Sequence, residues 1–248
     1  MSQSSRPAAE LPGPLRYNLV RYVLRLLLSC YLRVRVEGRE HIPDEAYLIN
    51  FSHPNWIDPP VMVGFWPGRR WVFIFGPKEE DMRTGGRNKV ISWTRIGVPF
   101  KPSKSDLLDT TRRAVAVMRR GHVLAVAGEG RLSDEEGAIV PIETGPAFFA
   151  LRAQSPILPV AVIGTRWLRF GKRVTLCIGP PLPTRGRRAD RATVAALTAE
   201  LQSAMERLLT GVVGEPPPGR FRRWVTDVFN ERPWLDERPL HDEQPADD

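Results

Sequence analysis

Short apolar runs alternate along this chain with stretches of helical spacing. Ala46–Phe51, Trp71–Phe75, Val123–Ala127 and Ile157–Ile163 are continuous apolar runs of strand length, and Val174–Ile178 adds a fifth. Runs this short, bounded by Gly and Pro, suit strands buried on both faces. Between them, Asp106–Arg120, Pro146–Gln154 and Arg191–Leu209 carry apolar residues at helical spacing. Alternation of the two patterns predicts an α/β fold: a single domain with a central, mostly parallel or mixed sheet flanked by helices. No internal repeat is present, and many of the 24 prolines fall at boundaries such as Pro54, Pro59 and Pro216–Pro218.

The two ends read differently. PLRYNLVRYVLRLLLSCYLRVRV, starting at Pro14, is rich in Leu, Val and Tyr, but Arg21, Arg25, Ser29 and Arg33 recur every fourth residue. The spacing predicts an N-terminal amphipathic helix over residues 15–35. It either lies in a membrane interface, arginines toward phosphates, or packs on the body with its polar stripe in water. No stretch reaches the ~20 apolar residues of a spanning helix. Near the other end, EPPPG at Glu215–Gly219 reads as a linker. RFRRWVTDVFN follows it, with Phe221, Trp224, Val225, Val228 and Phe229 able to share one helix face. The expected organisation is therefore a disordered start (1–14), the membrane-associating helix (15–35) and the main domain (36–213). A linker with an amphipathic C-terminal helix (214–235) and an acidic disordered tail (236–248) complete it.

Composition sharpens this plan. Hydrophobic residues at 42% and charged residues at 26% of 248 are globular proportions. The net charge is +8, and the tail from Asp236 onward holds six acids against one base, which leaves +13 on the first 235 residues. So basic a body points to an anionic partner: nucleic acid, a membrane surface or a phosphorylated substrate. Two cysteines, Cys30 and Cys177, exclude a disulfide framework or a cysteine-rich zinc site. The first residues lack the order of a secretory leader, so a cytoplasmic location is expected.

Of the four histidines, His41, His122 and His241 have no partner arrangement nearby in sequence. His53 ends an apolar run and opens SHPNWIDPP, with Pro54 suited to the first position of a helix and Asp58 five residues on. Five helical residues are about 140° of rotation, so the two meet only if the His53 ring folds back over a first turn. In that arrangement the carboxylate accepts the imidazole N–H, fixes the tautomer and stabilises the imidazolium. This is the base-and-orienter half of a catalytic triad. No GxSxG motif supplies a protein nucleophile, so the nucleophile would be a substrate hydroxyl. Trp56, between the two, is a core residue or a wall of a substrate groove.

Downstream blocks place the pair in context. VEGREHIPDEAYLINFSHPNWIDPPVMVG, FGPKEE with Lys78, RIGVPFKPSKSD, GEGRLS with Glu129, Gly130 and Arg131, and SPILPVAVIGT with Pro156 and Pro159 follow in order. Over Val36–Pro183 the chain resembles the glycerolipid acyltransferase superfamily, the HxxxxD-type lysophosphatidate and lysophospholipid acyltransferases. His53 and Asp58 match its HxxxxD motif. Three positions depart from the family pattern. Ser52 stands where an Asn commonly precedes the histidine, and Gly128 replaces the proline of a Phe-Pro-Glu-Gly-Thr-Arg block. Lys101 and Lys104 are the bases near the second block, whose arginine is missing; lysine meets phosphate only as a point charge.

The resemblance implies transfer of a fatty acyl group from acyl-CoA or acyl carrier protein to a lysophospholipid hydroxyl. The foremost acceptor is 1-acyl-sn-glycerol-3-phosphate, giving phosphatidic acid. His53 would be the base and Asp58 its orienter. Arg131, with Lys101 or Lys104, would neutralise the acceptor phosphate; Lys78 and Gly130 would also line the substrate site. Glu129 would hold glycerol hydroxyls or brace the arginine. No cofactor or metal is implied beyond the thioester co-substrate. The partners implied are membrane phospholipid and the acyl carrier, at the cytoplasmic face of a membrane and without nucleic acid. Alternatives are another lipid acceptor, such as lysophosphatidylethanolamine, a glycolipid or an ornithine lipid, and a non-catalytic lipid- or nucleic-acid-binding protein.

Overall fold

The computed structural model describes residues 12–78, 92–100, 107–130 and 137–229. Helix α1 (Pro14–Tyr31) leads into β1 (Leu32–Glu37) and, past a 3-10 turn, β2 (Leu48–Phe51). Then come α2 (Asp58–Phe65), β3 (Val72–Lys78), β4 (Gly97–Phe100), α3 (Leu107–Arg119) and β5 (Val123–Ala127). After these follow α4 (Gly145–Ala153), β6 (Ile157–Ile163), β7 (Lys172–Ile178), α5 (Arg191–Leu209) and α6 (Arg220–Phe229). The seven strands form one sheet in the order β1-β7-β6-β2-β5-β3-β4. β6, β2, β5, β3 and β4 run parallel to one another, whereas β7 runs antiparallel to β6 and parallel to β1. The expected mixed, mostly parallel sheet with helices on its faces is what forms.

Strand alternation divides the core in two. Ile49 and Phe51 of β2, Val123 and Ala125 of β5, and Leu158, Val160 and Val162 of β6 pack with Val61, Met62 and Trp66 around α2. Leu48, Leu124, Val126 and Ile157 point the other way, against α3, α4 and α5 through Met118, Phe149, Leu151, Leu197 and Leu201. The strands are apolar on both sides because both sides are covered.

Helix α1 differs from its expectation in two respects. It ends at Tyr31, and residues 32–35 belong to β1, paired in register with Lys172–Thr175 of β7, so Arg33 is not part of a helical stripe. Nor is the polar stripe turned wholly to solvent: Arg25 and Ser29 are exposed, but Arg21 is not. Arg21 Nη2 donates to the Trp66 carbonyl, 2.6 Å away at the C-terminus of α2. Arg25 lies over the Phe65 ring at 5.7 Å. Tyr17, Val20 and Leu28 are buried, and the Tyr17 hydroxyl accepts from Val72 N at 2.7 Å. The face turned outward carries Leu15, Leu19, Tyr22, Val23, Leu26 and Leu27, all exposed. Arg21 anchors the helix, and the leucines meet the surroundings.

Two strands carry too little apolar length to stand out in sequence. β1, LRVRVE, alternates Arg with Leu and Val because it is an edge strand. β4 at the opposite edge is only four residues, GVPF. The expected disordered start and the acidic tail from residue 236 lie outside the described residues, apart from Pro12–Pro14.

Candidate active site

The parallel strands β2, β5 and β6 bring their carboxyl ends to one edge of the sheet. Phe51 of β2 pairs with Ala127 of β5 and Val160 of β6. His53 and Glu129 each lie two residues beyond one of those paired positions. Carboxyl ends of parallel strands, where the chain splays to either side, are the usual place for a site in α/β sheets.

His53 and Asp58 meet by a route other than a helix cap at Pro54. Residues 54–57 form a turn, and α2 begins at Asp58 with Pro59 in its first turn. The Asp58 amide donates to the Asn55 carbonyl at 3.1 Å, and the Asn55 amide donates to Asp58 Oδ2 at 2.7 Å. The Asn55 side chain closes the turn by accepting from Ile57 N at 3.3 Å. This reciprocal pairing leaves Oδ2 facing His53, whose Nδ1 lies 2.9 Å away. A carboxylate accepts, so Nδ1 carries the proton and Nε2 keeps its lone pair.

Burial separates the roles of the two groups. Asp58 is fully buried, while the His53 side chain keeps 19% of its surface. Desolvation is the largest influence on Asp58 and raises its carboxyl above the ordinary range. Hydrogen bonding and charge from His53, then the Thr165 hydroxyl and the Asn55 amide, oppose that rise. An imidazole held in this way can take a proton at Nε2 from a hydroxyl placed against it, the buried carboxylate balancing the charge formed.

The departures at Ser52 and Gly128 have local reasons. Ser52 Oγ accepts from Val162 N at 2.9 Å and ties the end of β2 to β6. At Gly128 an added Cβ would fall 2.0 Å from Asn50 Oδ1 and 3.0 Å from Ile142 Cγ2. Asn50 is wholly buried on β2, so a proline or any side chain at 128 would displace it. Glu129 is also buried, and Val140 N donates to its Oε2 at 3.5 Å. It sits with its neighbour Gly130, in a left-handed conformation at φ +66°, on the turn after β5.

The basic candidates divide less evenly. Lys78 is the last residue of β3, paired with Phe100 of β4. Lys101, Lys104 and Arg131 lie outside the described residues. Trp56 is partly buried and packs against the core around α2. Of the other histidines, Nδ1 of His41 bonds the Ile178 carbonyl at 2.9 Å, and His122 stacks on Trp71 at 5.0 Å. Both serve packing. Sequence reasoning missed Asn55 and Thr165, which surround the Asp58 carboxylate; nothing local in the sequence marks a threonine more than a hundred residues away as its neighbour.

The sheet has helices on both faces and bears a buried carboxylate–imidazole pair at the carboxyl end of its parallel strands. The sequence model of the family described as Acyltransferase matches residues 33–163, more than half the chain. This chain belongs to that acyltransferase family. Its fold is similar to the crystal structure of the 1-acyl-sn-glycerophosphate (LPA) acyltransferase PlsC from Thermotoga maritima. That match has a TM-score of 0.61 and 21% sequence identity, and it covers 82% of this chain and 81% of that one.

Proposed function

We propose that this acyltransferase moves a fatty acyl group from a thioester, acyl-CoA or acyl carrier protein, to a lysophospholipid hydroxyl. The foremost acceptor is 1-acyl-sn-glycerol-3-phosphate, with phosphatidic acid as product. The observation that carries the reading is the 2.9 Å contact between His53 Nδ1 and the buried Asp58 carboxylate. Nε2 takes the proton of the acceptor hydroxyl as its oxygen attacks the thioester carbonyl. The tetrahedral intermediate collapses with cleavage of the C–S bond, and the imidazolium returns the proton to the departing thiolate. The products are an ester and a free thiol, with no group left on the protein.

Arg131, aided by Lys101 or Lys104, neutralises the acceptor phosphate, and Lys78 and Gly130 complete the substrate site. Burial of Glu129 favours its bracing role over direct contact with glycerol. The acceptor comes from a membrane on which the enzyme lies, bound through the outward face of α1. Leu15, Leu19, Tyr22 and Leu26 form one exposed stripe there, flanked by Arg16 and Arg25. Phe170 extends it past the end of the helix, edge-on to Tyr31 at 6.3 Å.

Incubation of the purified protein with labelled acyl-CoA or acyl carrier protein thioesters, against a panel of lysophospholipids, tests the reading by product mass. A phosphatidic acid product is expected. Acylation of another lipid alone would reassign the acceptor, and absence of product from every pair would overturn the reading.

A further inference from the structure

The Asp58 carboxylate has two oxygens, and the pair with His53 uses one. Oδ2 receives both His53 Nδ1 and the Asn55 amide. Oδ1 is buried and receives no hydrogen bond of ordinary geometry among the described residues. The Thr165 hydroxyl, on a wholly buried residue, is likewise unmatched in ordinary geometry. An ionised carboxylate oxygen and a hydroxyl donor, each stranded, would both be costly in a dry interior.

The fold ties together the two segments that carry these groups. Thr165 lies on the turn after β6, beside β2. Gly164 makes that turn at φ +92°, where an added Cβ would meet the Arg173 carbonyl of β7 at 2.3 Å. Asn55 Nδ2 donates to the Arg166 carbonyl at 3.4 Å, so the turn after β6 is tied to the turn that carries Asp58. Ser52 Oγ holds the same two strands one step earlier, at Val162 N.

We propose that Thr165 is a positioning residue of this site, its hydroxyl donating to Asp58 Oδ1 and fixing the carboxylate that holds His53. Its hydroxyl already acts on Asp58 in the direction of a donor, favouring the ionised form. Among the described residues, His53 is the titratable side chain that bears on that carboxylate, so a change at Thr165 reads out through the pair. The inference rests on the proposed acyl transfer for its kinetic consequence, but not for its structural one.

Thr165→Val keeps the shape and removes the donor. Without it the charged form of Asp58 loses a hydrogen bond, so burial raises its carboxyl further. In thermal denaturation across pH, the loss of stability that the buried Asp58 brings as pH rises should extend to higher pH than in the parent. The acid limb of kcat/KM should move with it and kcat should fall, KM for the lysophospholipid holding steady. Thr165→Ser should restore both. Should valine lower Tm, Thr165→Ala carries the same comparison. An unmoved pH profile of stability in the folded donor-less variant overturns the role of Thr165, whether or not the protein transfers acyl groups. A shifted stability profile without acyl transfer in the parent protein keeps the hydroxyl contact and overturns the proposed function instead.

Discussion

His53 Nδ1 donates across 2.9 Å to Asp58, and the carboxylate under the imidazole is fully buried. Removing the base should show the division between chemistry and fold. His53→Ala should lower turnover by about 10²- to 10⁴-fold, while circular dichroism and Tm stay close to the parent. Near-normal turnover in a folded variant would rule the mechanism out. Asp58 makes a thermodynamic prediction of opposite sign. Burial raises its folded-state pKa, so the folded protein holds that proton more tightly than the unfolded chain. The stability it contributes is therefore present at low pH and lost as pH rises through its folded-state value. Asp58→Asn should remove this pH dependence and raise Tm at neutral pH, while activity collapses; a fall in Tm would contradict the sign. Gly128 supplies a packing test. Gly128→Ala drives a Cβ against Asn50 and should cost about 1–3 kcal/mol in a denaturant titration. Asn50→Ala in the same chain should recover part of that loss, because the two side chains compete for one space.

Among the elements, α1 shows best what a sequence pattern leaves open. Its four-residue arginine spacing was readable, but which face would meet the body was not. Tyr17, under Trp71 at 4.8 Å and hydrogen-bonded to Val72, decides the matter by locking the helix on one side. Arg21 then serves the end of α2, and the leucine stripe is left outward. Leu19→Glu with Leu26→Glu should therefore leave Tm nearly unchanged and sharply reduce co-sedimentation with anionic vesicles. Equal pelleting of the charged variant would exclude α1 as the docking face. The buried strands β5 and β6 are legible because both faces are apolar and their ends are marked by Gly or Pro. β1 was absorbed into the helix because an edge strand tolerates alternating arginines. β4 was too short to leave a periodic signal.

Across the whole molecule, charge and architecture act together. The net charge of +8 attracts an anionic surface at long range, and that attraction is screened within a Debye length of about 8 Å at physiological salt. Vesicle binding should weaken as salt rises, with a remainder at high salt due to the apolar face of α1. Complete loss at high salt would assign binding to charge alone. The sequence by itself determined the class of fold, since alternating buried strands and helices admit few packings. It also determined the candidate chemistry, since His53, Asp58 and the blocks after them stand in a recognisable order. Tertiary structure decided which atoms meet. Only the parallel pairing of β2 with β5 and β6 sets His53 beside the turn that carries Glu129 and the turn that carries Thr165. Hydrogen-bond partners separated by a hundred residues leave no periodicity to read. Nor does a helix announce which of its faces the body will claim. Those two facts, the surroundings of a buried carboxylate and the outward turn of α1, belong to packing in three dimensions.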